Sequence, residues 1–115
     1  MNIGFIGLGK MGLNMVHRLL LDEHKLFVYN RSKESVKEAE KLGAKSFKSV
    51  DELVKSLEGR KVVWLMVPSG KPVDENIEAL LPHLYKDDII IDGGNSYFKD
   101  SITRAERCAQ KGVNY

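Results

Sequence analysis

Ile3-Gly4-Phe5-Ile6 runs directly into Gly7-Leu8-Gly9-Lys10-Met11-Gly12, an apolar strand entering a glycine-rich turn that opens a helix. Each glycine of the turn meets a different demand. Gly7 turns the chain tightly, Gly9 lets the backbone approach a ligand, and Gly12 lets the new helix pack closely on the strand it follows. Unpaired N–H groups at the helix start, together with the positive end of the helix dipole, attract an anion without the help of any side chain. The pattern predicts that Gly7, Leu8, Gly9, Lys10, Met11 and Gly12 cradle the pyrophosphate of a dinucleotide. The motif alone is weak evidence. It gains force here from the strand before it, the helix after it, and a second strand, Lys25 to Tyr29, at the distance such a unit requires.

The rest of the chain alternates in the same way. Met15, Val16, Leu19 and Leu20 lie on one face of the first helix. Ser32 is placed to cap a second helix running through Val36 and Ala39 to Leu42, with Gly43 as a left-handed terminator. Ala44 to Phe47 reads as a short third strand. Ser49 and Glu52 form a capping box at the head of a short helix that carries Leu53, Val54 and Leu57 and ends at Gly59. Lys61 to Val67 is almost continuously apolar, the mark of a central strand covered on both faces, with Trp64 in the core. Pro72 suits the first turn of a helix through Ile77 and Leu80, and Pro82 is expected to end it. Asp88 to Asp92 is a fifth strand. A last helix, Lys99 to Gln110, stops at Gly112, and Val113-Asn114-Tyr115 reads as the first residues of a sixth strand.

Strands alternating with helices predict an α/β, Rossmann-like doubly wound parallel sheet in three layers, because parallel crossovers need helices and place them on both faces. Residues 1–115 are read as one dinucleotide-binding domain, truncated at the start of strand six. Ligands of such sheets bind beyond the carboxyl ends of the strands. The distinctive polar turns fall there: residues 7–12, Asn30-Arg31-Ser32, Pro68-Ser69-Gly70 and Gly93-Gly94-Asn95-Ser96.

Composition excludes several other classes. With 43% hydrophobic and 30% charged residues the chain has no apolar run near the ~20 residues a membrane span needs. Its N-terminus enters a strand without a signal-peptide pattern, so the expectation is a cytoplasmic protein with no membrane contact. A net charge of +2, with Lys and Arg interleaved among Asp and Glu, argues against nucleic acid as a partner. The single Cys108 cannot form an internal disulfide and reads as a packed, inert thiol. His17, His24 and His83 are scattered, and no spacing of His, Cys, Asp and Glu suggests a metal site. Lys10 and Lys71 flank the candidate loops, where burial is too slight to convert a lysine into a base.

The second strand's end bears on the choice of dinucleotide. NAD-binding folds place an acidic residue about 20 residues beyond the glycine motif, where it accepts hydrogen bonds from the ribose and repels a 2′-phosphate. Asn30 stands there instead, followed by Arg31, whose guanidinium pairs with phosphate and stacks on adenine, and Ser32, a further donor. The combination favours NADP and leaves NAD possible.

With Gly-x-Gly-x-x-Gly, Tyr-Asn-Arg-Ser and Ile89-Ile90-Ile91-Asp92-Gly93-Gly94-Asn95-Ser96 in place, the chain resembles the cofactor domain of the 6-phosphogluconate dehydrogenases, within the β-hydroxyacid dehydrogenase superfamily. The Asp-Gly-Gly-Asn-Ser turn with Asp100 shortly after is the most specific match, and the Pro-Ser-Gly turn looks more like the shorter bacterial form. The resemblance implies NADP-dependent oxidation of 6-phosphogluconate at C3, loss of CO2 from the β-keto acid, and release of ribulose 5-phosphate in the pentose phosphate pathway. It also implies that Gly7 to Gly12 hold the pyrophosphate and that Asn30, Arg31 and Ser32 hold the adenosine end. Val67, Pro68 and Ser69 would pass beside the cofactor, and Asn95 would lie near both nicotinamide and substrate. Where longer members carry a lysine for the 2′-phosphate this sequence has Pro68, which weakens the case for NADP. The family's general base/acid lysine, its catalytic glutamate, its Ser-Gly-Gly substrate loop and its helical dimer-forming domain belong to later sequence. No catalytic residue is therefore assigned within residues 1–115, and the expectation is cofactor binding without turnover. Two alternatives stay open: a sibling β-hydroxyacid dehydrogenase or imine reductase, and a non-enzymatic nucleotide-sensing module.

Overall fold

The computed structural model describes residues 1–94 and 98–115. Five strands, β1 (Asn2–Ile6), β2 (Lys25–Tyr29), β3 (Lys45–Ser46), β4 (Val62–Leu65) and β5 (Ile89–Asp92), pair in parallel in the order β3-β2-β1-β4-β5. They are joined by α1 (Lys10–Leu21), α2 (Lys33–Leu42), α3 (Val50–Ser56) and α4 (Lys71–Leu80), with a 3-10 turn at Leu81–His83 before β5 and α5 (Phe98–Ala109) after it.

Two cores lie on opposite faces of the sheet. Side chains alternate across a strand, so Phe5 packs beneath α1 and α2 with Val16, Leu26 and Ala39, while its neighbour Ile6 packs beneath the other helices with Leu53, Val54, Ile77, Leu80 and Cys108. That division makes the three layers, and it explains why β1 and β4 are apolar on both faces. Trp64 is half-buried, stacked on Phe5 with ring centroids 6.2 Å apart. Cys108 is fully buried, and burial pushes its thiol pKa up, away from reactivity.

Several boundaries differ from the sequence expectation, each for a local reason. The third strand keeps only Lys45 and Ser46, although the Phe47 N–H still donates to the Val28 carbonyl. The fourth closes at Leu65, not Val67: Met66 N–H still reaches the Ile6 carbonyl, but Gly7 then turns the neighbouring chain away. Pro82 does not end the helical path at once, because the 3-10 turn carries it where its missing N–H is not needed. Ser32 occupies the N-cap of α2 without making a side-chain cap. Ser49 does cap α3, accepting from Glu52 N–H at 3.1 Å, while the Glu52 carboxylate reaches past Ser49 to the Lys48 N–H at 3.3 Å. α3 stops at Ser56, so that Leu57 turns inward and Gly59, at φ 68°, lies beyond the helix.

The sequence reading begins the fifth strand at Asp88; the strand begins at Ile89 instead, and Asp88 serves as its anchor. This buried carboxylate accepts from Lys61 N–H and from Tyr85 N–H, each at 2.8 Å, and so ties the starts of β4 and β5 together. On the free side of β5, Asn114 bridges Ile89 in parallel, donating to the Asp88 carbonyl and accepting from Ile90 N–H. A sixth strand occupies that place in the strand order 3-2-1-4-5-6.

Candidate dinucleotide site

The chain leaves β1 on one side to make β2 and β3, then returns across β1 to make β4 and β5. The turns after β1 and β4 therefore diverge, and a crevice opens between them at the carboxyl ends of the strands. A cleft of about 830 Å³ fills it. Its walls are Gly7, Leu8 and Gly9 from the first turn, Asn30, Arg31 and Ser32 from the second, Val67 and Pro68 from the fourth, and Pro72, Glu75 and Asn76 from α4.

The three glycines are distinguished by what surrounds them. Gly7 has φ +102°, its N–H donates to the Tyr29 carbonyl at 3.0 Å, and a Cβ on it would stand 2.2 Å from the Met66 carbonyl oxygen. Gly12 is buried, and a Cβ there would lie 2.4 Å from the Gly7 oxygen, so helix and turn meet at backbone contact. Gly9 is the opposite case. It sits in ordinary extended backbone as the N-cap of α1, with no capping side chain, and among the described residues no atom lies within 4 Å of where its Cβ would stand. A helix N-terminus with its first N–H groups unpaired thus opens on vacant volume, the arrangement that suits an anion.

Asn30 fixes the geometry of this corner. Its Oδ1 accepts from the Leu8 N–H at 2.9 Å and its Nδ2 donates to the Ser32 carbonyl at 3.0 Å. A carboxylate could make only the first of these bonds. The Leu8 N–H is therefore engaged by Asn30 and not left for a phosphate, while the Leu8 side chain is buried beneath the turn. Arg31 and Ser32 are exposed, and Arg31 makes no ion pair among the described residues.

Not every candidate borders the cleft. Lys10 and Met11 are exposed on the first turn of α1, Gly12 lies beneath it, and Ser69 stands exposed at the tip of the β4 turn. Asn95 falls outside the described residues. Sequence reasoning missed Pro72, Glu75 and Asn76: they sit in the first turns of a helix whose apolar spacing drew attention only to its inward face. The position of α4 after a strand at the switch point was the signal that could have found them.

Behind this wall lies a charged contact. Arg104, 4% exposed, donates from Nε to Asp74 Oδ1 at 2.7 Å and from Nη2 to Asp74 Oδ2 at 3.3 Å and to the Gly70 carbonyl at 3.2 Å. The guanidinium holds the Asp74 carboxyl below the usual carboxylate range. Tyr115 donates its hydroxyl to Asp92 Oδ2 at 2.9 Å, and burial, reinforced by that bond, raises its pKa. Asp92 Oδ1 accepts from Gly94 N–H at 3.0 Å. Among the described residues no group of His, Cys, Asp and Glu is placed to hold a metal ion, and no helix is long and apolar enough to cross a membrane.

Strand order, glycine turn and cleft together define a nicotinamide-dinucleotide-binding α/β domain. The family model for the NAD binding domain of 6-phosphogluconate dehydrogenase matches residues 2–115, and the chain belongs to that family. It is 45% identical over 109 residues to the NAD(+)-dependent, decarboxylating 6-phosphogluconate dehydrogenase of Haloferax volcanii, covering 95% of this chain and 36% of that protein. The NADP(+)-dependent enzyme of Bacillus subtilis is 41% identical over 117 residues, covering 98% of this chain and 25% of its own length. Among solved structures, 6-phosphogluconate dehydrogenase of Plasmodium falciparum superposes with a TM-score of 0.88 at 38% identity, over 100% of this chain and 26% of that one. The chain thus spans about a third or less of these relatives.

Proposed function

We propose that this chain is the cofactor-holding part of a decarboxylating 6-phosphogluconate dehydrogenase of the pentose phosphate pathway, with NADP as its preferred cofactor and 6-phosphogluconate as the substrate of the whole enzyme. The observation that carries the reading is Gly9: a helix N-terminus with vacant space where a side chain would stand, inside a cleft at the switch point of the sheet. The residues present fit the cofactor. The first turn of α1 takes the pyrophosphate, and Arg31 and Ser32 take the adenosine end. Asn30 acts on them through the backbone, holding their turn to the glycine turn. Val67 and Pro68 pass along the opposite side, with Ser69 beyond them, and Asn95 serves nicotinamide and substrate.

When bound, the nicotinamide supplies the hydride acceptor for oxidation at C3 of the sugar acid. This chain's own part is to orient it and to shelter one face from water. The base that takes the hydroxyl proton belongs to a further domain, which also forms the dimer, and the enzyme works in the cytoplasm. Among the described residues lining the cleft, Arg31 is the one cation at the adenosine end, and Pro68 offers no second. Arg31→Ala is therefore expected to raise the Kd for NADP at least about tenfold in a calorimetric titration while changing that for NAD less than about threefold. Equal changes for the two would remove the 2′-phosphate from Arg31.

A further inference from the structure

The wall of the cleft facing Arg31 is built from the β4 turn and the first turns of α4. Its position is set from behind. Gly70, at φ 89°, starts α4, and its carbonyl accepts from Val73 N–H at 3.1 Å, from Asp74 N–H at 3.3 Å and from Arg104 Nη2 at 3.2 Å. Arg104 comes from α5, 34 residues away in sequence, and grips Asp74 through two parallel bonds as well. Such a fork fixes direction as well as distance, which a lysine ammonium would not do. Its remaining nitrogen, Nη1, is buried with no hydrogen-bond acceptor among the described residues, so the guanidinium's hold rests on Asp74 and Gly70. Tyr115, bonded to Asp92 at the end of β5, lies near the guanidinium. The Arg104 side chain thereby joins α5, the turn after β4 and the first turn of α4.

We propose that Arg104 is a positioning residue of the cofactor site: it holds the Pro68–Asn76 wall at the separation from Arg31 that a dinucleotide needs, without touching the cofactor. The inference rests on the cleft being the cofactor site, as proposed above. Arg104 lines none of the cleft. Its effect is on geometry and is therefore shared by NAD and NADP, unlike that of Arg31.

The test is titration of the full chain with NADP and with NAD, followed by calorimetry or by the fluorescence of its one tryptophan, Trp64. Arg104→Met is expected to weaken both cofactors by the same factor, about tenfold, since a displacement of one wall by a fraction of an ångström loosens every contact made across the cleft. Asp74→Asn keeps one acceptor for the guanidinium and removes the charge of its partner, and is expected to weaken both about threefold. Leu84→Ala, a cavity in the core before the start of β5, lowers stability without reaching the cleft, and is expected to leave both affinities within about twofold. The proposal is overturned if Arg104→Met and Asp74→Asn, folded by circular dichroism, bind both cofactors within twofold of the unsubstituted chain, or if only NADP is weakened. A failure of the unsubstituted chain to bind either cofactor would instead overturn the assignment of the cleft, and the positioning role with it.

Discussion

Gly7→Ala is expected to cost the domain about 2–6 kcal/mol and to abolish cofactor binding along with it. Two penalties combine. At φ +102° an alanine is held in backbone that L residues avoid, a strain of about 1–3 kcal/mol. Its Cβ also meets the Met66 carbonyl oxygen at 2.2 Å. That oxygen belongs to the backbone just beyond β4, so relief requires moving one central strand end against another, at about 1–3 kcal/mol more. Against a total stability of about 5–15 kcal/mol such a loss is large, a fall in Tm of roughly 8–24 °C for a chain of this size. Thermal denaturation of the variant checks it, and a Tm within a few degrees of the parent would mean that the turn relaxes easily.

Gly9→Ala separates binding from folding. The same substitution two residues later meets nothing within 4 Å and sits in backbone that any residue adopts. Its effect on stability is expected to stay within about 1 kcal/mol, the scale of exchanging glycine for alanine at an N-cap. The methyl group enters the space from which a pyrophosphate would approach the N–H groups of α1. The Kd for NADP is therefore expected to rise between about tenfold and a hundredfold, as the close contact and at least one charge-assisted hydrogen bond are lost. Measured side by side, the two variants should fail for opposite reasons: one loses stability, the other keeps its fold and binds weakly. Unchanged affinity in folded Gly9→Ala would place the anion elsewhere.

Much of this was legible before any coordinates, because the periodic signals and the turn glycines are local. The glycine turn, the span of β2 and the αL end of α2 at Gly43, φ 111°, needed only neighbours in sequence. The doubly wound parallel sheet followed from alternation and handedness. What could not be read depended on residues brought together from afar. Asn30 was chosen for its place after β2, but its bond to Leu8 spans 22 residues. Asp88 reads as the first residue of the fifth strand, and Arg104 only as one of the Lys and Arg residues interleaved among Asp and Glu. Their burial is decided by the loops that close over them, Lys61 and Tyr85 for the first, Gly70 and Asp74 for the second. Ser32 was misjudged for a related reason: a residue type favoured at the N-cap can occupy that place and leave the helix uncapped.

The most direct test of the central claim is an amide nitrogen–proton correlation spectrum of the chain recorded as NADP is added. The account predicts that the largest shifts fall at Gly9, Lys10, Met11 and Gly12, where the N–H groups of α1 meet the pyrophosphate, and at Arg31, Ser32 and Val67 across the cleft. It is contradicted if those amides stay still while the changes gather along Ile89 to Asp92, Ser101 to Ala105 and Asn114 to Tyr115, the lining of the separate cavity of about 600 Å³ beside β5.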